Sequence, residues 1–319
     1  RLTANYILDP TFSCTNCTNG APADRIYVLS GGNGYILAGA SISEYESYTA
    51  PVAGFVKINS DGSFDTTYYN NLVSELNSGT ADAIAVLSDN SIIATGGMYY
   101  DDGMGGLIVF YSNVKIQANG HVDYTYNDDG VTYTTLAAQT NDQVLAGVDG
   151  SIIRFNTDGT EDGTYSAISF DSFSRIVCTP ICHSVKSYGN YLFTQLQPDG
   201  NFLLYGDFSP SDLATEVGVA KVSSNGVLDT GFISAGSVGA SAACALSDGR
   251  VVTGGNGFGI EHIDATGALS ATQHTVDDAV NALACVSNTR IHTGGAFLTY
   301  DGTTLLTPYL IKTDASGQN

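Results

Sequence analysis

One spacing recurs four times in this chain: a basic residue, a glycine five positions later and an aspartate eight positions later. The copies are Lys57, Gly62 and Asp65; Lys115, Gly120 and Asp123; Arg154, Gly159 and Asp162; and Lys221, Gly226 and Asp229. A worn copy follows at 261–270, with Gly267 in place and Ser270 where the aspartate should stand. Repetition at a fixed period restricts the architecture more than any composition figure does. Each glycine follows an Asp or Asn, and such pairs supply the positive φ of tight hairpin turns between short β-rich runs. The Asp and Asn residues therefore read as turn formers. A calcium loop would need further oxygen donors at alternate positions and a closing Glu, and neither is present.

A second motif lies between successive copies of the first: a small-residue strand, a polar turn, and an apolar strand ending in glycine. It runs over 84–97 and 244–255, and other copies end at Gly39, Gly147, Gly206 and Gly295. Together the motifs make six copies of a four-strand unit, about one per 40 to 60 residues, which is the pattern of a propeller blade. The expected fold is all-β: a six-bladed β-propeller with four antiparallel strands per blade, at approximately 23–68, 81–126, 133–165, 190–232, 240–272 and 280–317. Residues 309–313 form the last third strand, and residues 7–12 match the fourth strand expected at 64–68. The N-terminal strand is thus expected to close the last blade within one domain, leaving 1–5 as a linker and no free sheet edge.

These repeats resemble the delta-60 repeat β-propeller family. The matching stretches are Gln197-Pro-Asp-Gly200, Gly294-Gly-Ala-Phe297, Lys57-Ile-Asn-Ser-Asp-Gly62 and Val227-Leu-Asp-Thr-Gly-Phe232. Departures are Tyr6 at the first turn glycine, Ser270, and the insertion at 166–188. The resemblance implies a fold found mostly in secreted and surface-attached microbial proteins, and it transfers no catalytic residue.

Composition narrows the partners. With 11 Lys and Arg against 32 Asp and Glu, the net charge is −21. Phosphate backbones and anionic lipid surfaces would repel such a chain, so nucleic acid is not an expected partner. No apolar run reaches the roughly 18 residues of a spanning helix, so membrane insertion is not expected either. A chain opening at Arg1 reads as processed or excised. The six cysteines fall into three pairs by position, Cys14 with Cys17, Cys178 with Cys182, and Cys244 with Cys285. Three local disulfides in an oxidising compartment are the simplest reading, with Cys244–Cys285 stapling neighbouring blades. Zinc binding by the first four would require pairs on different blades to meet. Asn16 begins an N-glycosylation sequon.

No enzyme signature converges. The chain lacks Trp, which ends the sialidase Asp-box pattern, and the acidic pairs 101–102, 128–129 and 277–278 fall in loops. The five histidines show no metal-ligand spacing, and no nucleophile elbow, phosphate loop or dinucleotide fingerprint occurs. The remaining site candidate is a polar ring at the channel mouth from six equivalent positions: Asp24, Asp82, Thr134, Asn190, Ser241 and Asn281. No cofactor is expected, calcium being the one ion such a ring would take. The leading expectation is a non-catalytic extracellular or cell- or virion-surface protein, a structural or adhesive subunit of a fibre or appendage. Its partners would be copies of itself, other assembly proteins or glycans. The alternative is a glycan- or ligand-binding propeller module, followed by a glycoside-active enzyme.

Overall fold

The computed structural model describes residues 25–314 apart from short segments, the longest being 101–108, 194–199 and 210–216; between 171 and 199 strands are described by backbone alone. The described elements are antiparallel strands in small sheets, with one α-helix, Thr66–Val73. The chain divides into two compact units, 1–148 with 154–162, and 149–153 with 163–319.

In the first unit, Arg25–Val28, Tyr35–Ala38 and Phe55–Ile58 form one sheet, and Ser78–Val86, Ile92–Tyr100 and Val109–Ile116 a second. Thr135–Ala138 pairs with Val144–Val148. Ile36, Phe55, Ile84, Ile92, Val114 and Ile116 pack with Tyr68 and Leu72 of the helix into one buried cluster. Each such side chain contributes about 1.5–3 kcal/mol through burial. In the second unit, Ile168–Ser169 pairs with Ser151 and Ile152. Four-stranded sheets run Asn190–Phe193, Phe202–Phe208, Val217–Val222, Leu228–Ser234, and Ala240–Ala245, Val251–Gly255, Gly259–Ile263, Leu269–His274. A three-stranded sheet of Val280–Ser287, Arg290–Gly295 and Leu310–Thr313 follows.

The repeated spacing is a hairpin register. Asp65, Asp123 and Asp162 each donate their N–H to the carbonyl of the basic residue eight positions earlier, at 3.3, 2.8 and 2.8 Å. Their side chains then meet: Lys57–Asp65 at 2.7 Å, Lys115–Asp123 at 3.7 Å and Arg154–Asp162 at 2.6 Å. In the fourth copy Lys221 donates to the Gly249 carbonyl and lies over the Phe232 ring. The turn glycines 62, 120, 159 and 226 have φ of 92°, 94°, 83° and 85°, the left-handed region that L side chains avoid. Turn Asp and Asn side chains are occupied locally: Asp61, Asp158 and Asp264 each accept the N–H and hydroxyl of the residue two positions on, the Asx-turn geometry.

The expectation of four strands in every blade is corrected in the first two repeats. The fourth strand expected at 64–68 is reduced to a bridge between Ile58 and Phe64. Asp65 Oδ1 then accepts the Tyr68 N–H at 3.0 Å and caps the helix Thr66–Val73, as short acceptor side chains do at N-caps. In the second repeat Val122 bridges Ile116, and beyond it a carboxylate occupies the open edge. Asp128 accepts the N–H groups of Ser112 and Asn113 at 2.9 and 3.1 Å, which blocks edge-to-edge pairing. The closing strand assigned to 7–12 and the linker 1–5 lie outside the described residues.

Candidate functional site

A polar cleft of about 480 Å³ opens in the first unit, lined by Gly32, Asn33, Lys57, Asn59, Ser60, Asp65, Asp89, Asn90, Ala118 and Asn119. Four turns supply it, both hairpin turns of each of the first two repeats, so residues 30 to 119 converge through the repeat geometry alone. A chain of turn-to-turn bonds fixes the arrangement. Asn90, at φ 67°, accepts the Ser30 N–H and hydroxyl through Oδ1 at 2.7 and 2.9 Å, and returns an amide bond to the Ser30 carbonyl. Asp142 likewise accepts from Ser88, the N–H through Oδ1 at 2.8 Å and the hydroxyl through Oδ2 at 2.6 Å.

Lys57 is held between Asp65 and the Ala118 carbonyl, 3.2 Å away, with its ammonium 4.8 Å above the Tyr68 ring. Burial opposes ionisation of Asp65, but the Lys57 hydrogen bond and the helix N–H groups outweigh it and leave its carboxyl below the usual range. Asp89 shows the same balance: burial raises it, and the Ser91 hydroxyl and N–H with the charge of Lys115 bring it lower still. Both carboxylates are thus kept ionised at neutral pH, suited to accepting hydrogen bonds and not to donating a proton. Among the described residues, Asp89 Oδ2, Asn33 Oδ1, Asn59 Oδ1 and Asn119 Nδ2 have no protein partner, whereas the other polar atom of each side chain is bonded within its turn.

Of the six channel-mouth candidates, Asp82, Thr134, Ser241 and Asn281 do not line this cleft. Asp82, Ser241 and Asn281 each sit at a register shift of their strand. Asp82 and Asn281 are exposed. The Ser241 hydroxyl bonds the Val280 carbonyl at 2.6 Å, and the Thr134 hydroxyl bonds the Gly147 carbonyl at 3.0 Å. Asn190 opposes Asp207 in register, and Asp24 lies outside the described residues, as do Cys14, Asn16 and Cys17. Cys178 and Cys182 are register partners across a hairpin. Cys244 and Cys285 form a disulfide with Cα atoms 5.6 Å apart, joining two adjacent sheets. Among the described residues no three His, Cys, Asp or Glu gather as a metal site. The cleft residues escape a sequence reading because each is a turn residue like many others. The weak signal available is the density of Asn and Asp at 59–61, 89–90 and 119, around one lysine.

The family profile described as "Domain of unknown function (DUF5122) beta-propeller" matches residues 197–232. Among curated proteins none matches the chain. Solved structures similar to it include a GH74 enzyme of Niastella koreensis, 14% identical with a TM-score of 0.45, over 92% of this chain and 36% of that one. The extracellular domain of a hybrid two-component system of B. thetaiotaomicron is 11% identical with a TM-score of 0.42, over 86% and 32%. A gluconolactonase of Xanthomonas campestris is 13% identical with a TM-score of 0.36, over 72% and 78%. The chain thus spans about a third of the length of the first two. At these scores none carries an activity to this chain. The GH74 protein and the gluconolactonase are enzymes, and nothing supports the expectation of a structural or adhesive subunit, which is withdrawn.

Proposed function

We propose that the chain is a non-catalytic ligand-binding β-propeller module whose cleft at the turns of the first two repeats takes a neutral, hydroxyl-rich ligand, a glycan. The observation that carries this reading is the set of unpartnered polar atoms in the cleft. Three acceptors on Asp89, Asn33 and Asn59 and one amide donor on Asn119 are held by turns whose other polar atoms are already bonded. Few convergent polar groups in a preformed concavity are what orient a small ligand. Sugar hydroxyls both donate and accept, and so suit a donor and several acceptors together. The charge of −21 disfavours anionic ligands. The Lys57 ammonium, neutralised by Asp65, does not offset that bias.

The same reading takes the six repeats as six blades, with residues 7–12 completing the last. It places the protein in an extracellular, oxidising setting, which the Cys244–Cys285 disulfide supports. A glycan array carrying neutral and sulfated or sialylated oligosaccharides tests it. Signal confined to neutral glycans is expected, and signal confined to anionic ones, or none at all, would refute it.

A further inference from the structure

A second group of polar side chains lies in the second unit, away from the cleft. His274 donates through Nδ1 to Asp301 at 2.7 Å, and its buried Nε2 has no partner among the described residues. The ring stacks on Tyr300, centroids 5.2 Å apart at 18°, and meets His262 edge-on at 5.6 Å. His262 is only 5% exposed. Asp301 and Tyr300 belong to the small hairpin Thr299–Tyr300 and Thr303–Thr304. Asp301 fastens that hairpin to the end of Leu269–His274 in three ways. It accepts from His274, it accepts the Thr275 N–H at 2.8 Å, and its own N–H donates to the Thr275 carbonyl at 2.9 Å. Beneath the hairpin, Phe297 and Tyr300 are buried with Val276 and Leu305.

We propose that His262, His274 and Asp301 form an acid-opened latch that holds the 299–304 hairpin over this apolar patch. The electrostatics follow from placement. Among the described residues, the charged or titratable groups at the two imidazoles and the hairpin are Asp301 and Tyr300 from the hairpin, Arg250 ahead of Val251–Gly255, Asp314 after the last strand, and Asp277, which accepts the Leu298 and Thr299 N–H groups at 2.7 and 2.8 Å. The Asp301 carboxylate bonds His274, whereas among the described residues no carboxylate bonds the His262 ring, so a proton on His262 would lie buried and uncompensated against the His274 ring 5.6 Å away. Burial first, then His274 and Arg250, push His262 down to about 4. The closed latch therefore resists a proton that an opened one accepts near the ordinary histidine value. Closure is fully favoured above about pH 6.5 and weakens as pH falls toward 4.

Hydrogen exchange of the whole chain at about pH 7 and about pH 4.5, corrected for intrinsic rates, reads this directly. Linkage predicts that protection of the Asp301 amide, which is bonded to the Thr275 carbonyl, falls on the order of tenfold to a hundredfold at the lower pH. The amides of Val251–Gly255 should hold. In His262→Phe the acid loss should disappear, and in Asp301→Asn the hairpin should already be loose at neutral pH. Wild-type protection that ignores pH, or an acid loss retained in His262→Phe, overturns the latch. Should His262→Phe not fold, Asp301→Asn with neutral-pH protection equal to wild type overturns it instead.

Discussion

The Asp142 carboxylate grips Ser88, 54 residues earlier, taking its N–H at 2.8 Å and its hydroxyl at 2.6 Å. The same relation joins Asn90 to Ser30, and Asn288 to Ser247 through both the N–H and the hydroxyl at 3.0 Å. In these three places a turn of one repeat is thus tied to the corresponding turn of the repeat before it. In the first unit these ties hold the walls of the cleft in place.

Asp142 also occupies a left-handed turn position, with φ of 63°. Asp142→Gly removes the tie but relaxes the backbone, for a net loss of about 1 kcal/mol. Asp142→Ala loses the tie and must hold an unfavourable φ, for about 2–3 kcal/mol. Urea unfolding should rank alanine below glycine. The reverse order would mean that the left-handed φ costs alanine nothing, and a glycine variant as stable as the wild type would mean that the tie contributes nothing.

Gly120 and Gly130 separate two costs. Both have positive φ, 94° and 77°. A Cβ on Gly120 would lie 2.3 Å from the Tyr68 carbonyl oxygen, whereas one on Gly130 meets nothing within 4 Å. Gly130→Ala should cost about 1 kcal/mol from conformation alone. Gly120→Ala must also displace the start of the helix and should cost about 3 kcal/mol or more. Thermal melts of the two variants check the difference.

The ion pairs of the repeated motif are not equivalent. Arg154 and Asp162 are 7% and 9% exposed, with Gln143 also donating to Asp162 at 2.8 Å. Arg154→Met strands a buried carboxylate and should destabilise by about 3–5 kcal/mol. Lys115→Met breaks a longer, more exposed contact of 3.7 Å and should cost about 1 kcal/mol or less. Denaturation midpoints of the two variants should differ accordingly.

Cys244 and Cys285 close a loop with a sequence separation of 41. Replacing both by serine should lower stability by about 2–4 kcal/mol through the freed unfolded chain. Calorimetry should show this loss in the double variant without a reductant, and a reductant should lower the wild type by more than it lowers the double variant.

Much of this fold is legible in the sequence because its decisive contacts are local. The Lys57–Asp65 and Arg154–Asp162 spacings are the register of single hairpins, and the positive-φ glycines mark their turns. The helix is not legible. Thr66, Thr67, Tyr68 and Tyr69 favour strand by propensity, and what overrides it is the Asp65 cap and packing of Tyr68 and Leu72 into the sheet core. The cleft is not legible either, because Asn33, Asn59, Asp89 and Asn119 come from four turns that resemble every other turn. Only the relation of neighbouring repeats distinguishes them. Asp82, Ser241 and Asn281, assigned to a polar ring by their equivalent positions, each sit at a register shift of their strand; the Ser241 hydroxyl is engaged by a neighbouring carbonyl and none of the three lines the cleft.

Calorimetric titration of one neutral oligosaccharide into four variants tests the binding account most directly. Asp89→Asn and Asn119→Ala remove a free acceptor and a free donor from the cleft, and each should weaken binding about tenfold, the worth of one hydrogen bond to a buried ligand group. Asp82→Ala and Asn281→Ala should leave it unchanged. Affinity lost in the latter pair and retained in the former would contradict the account and move the site to the strand ends.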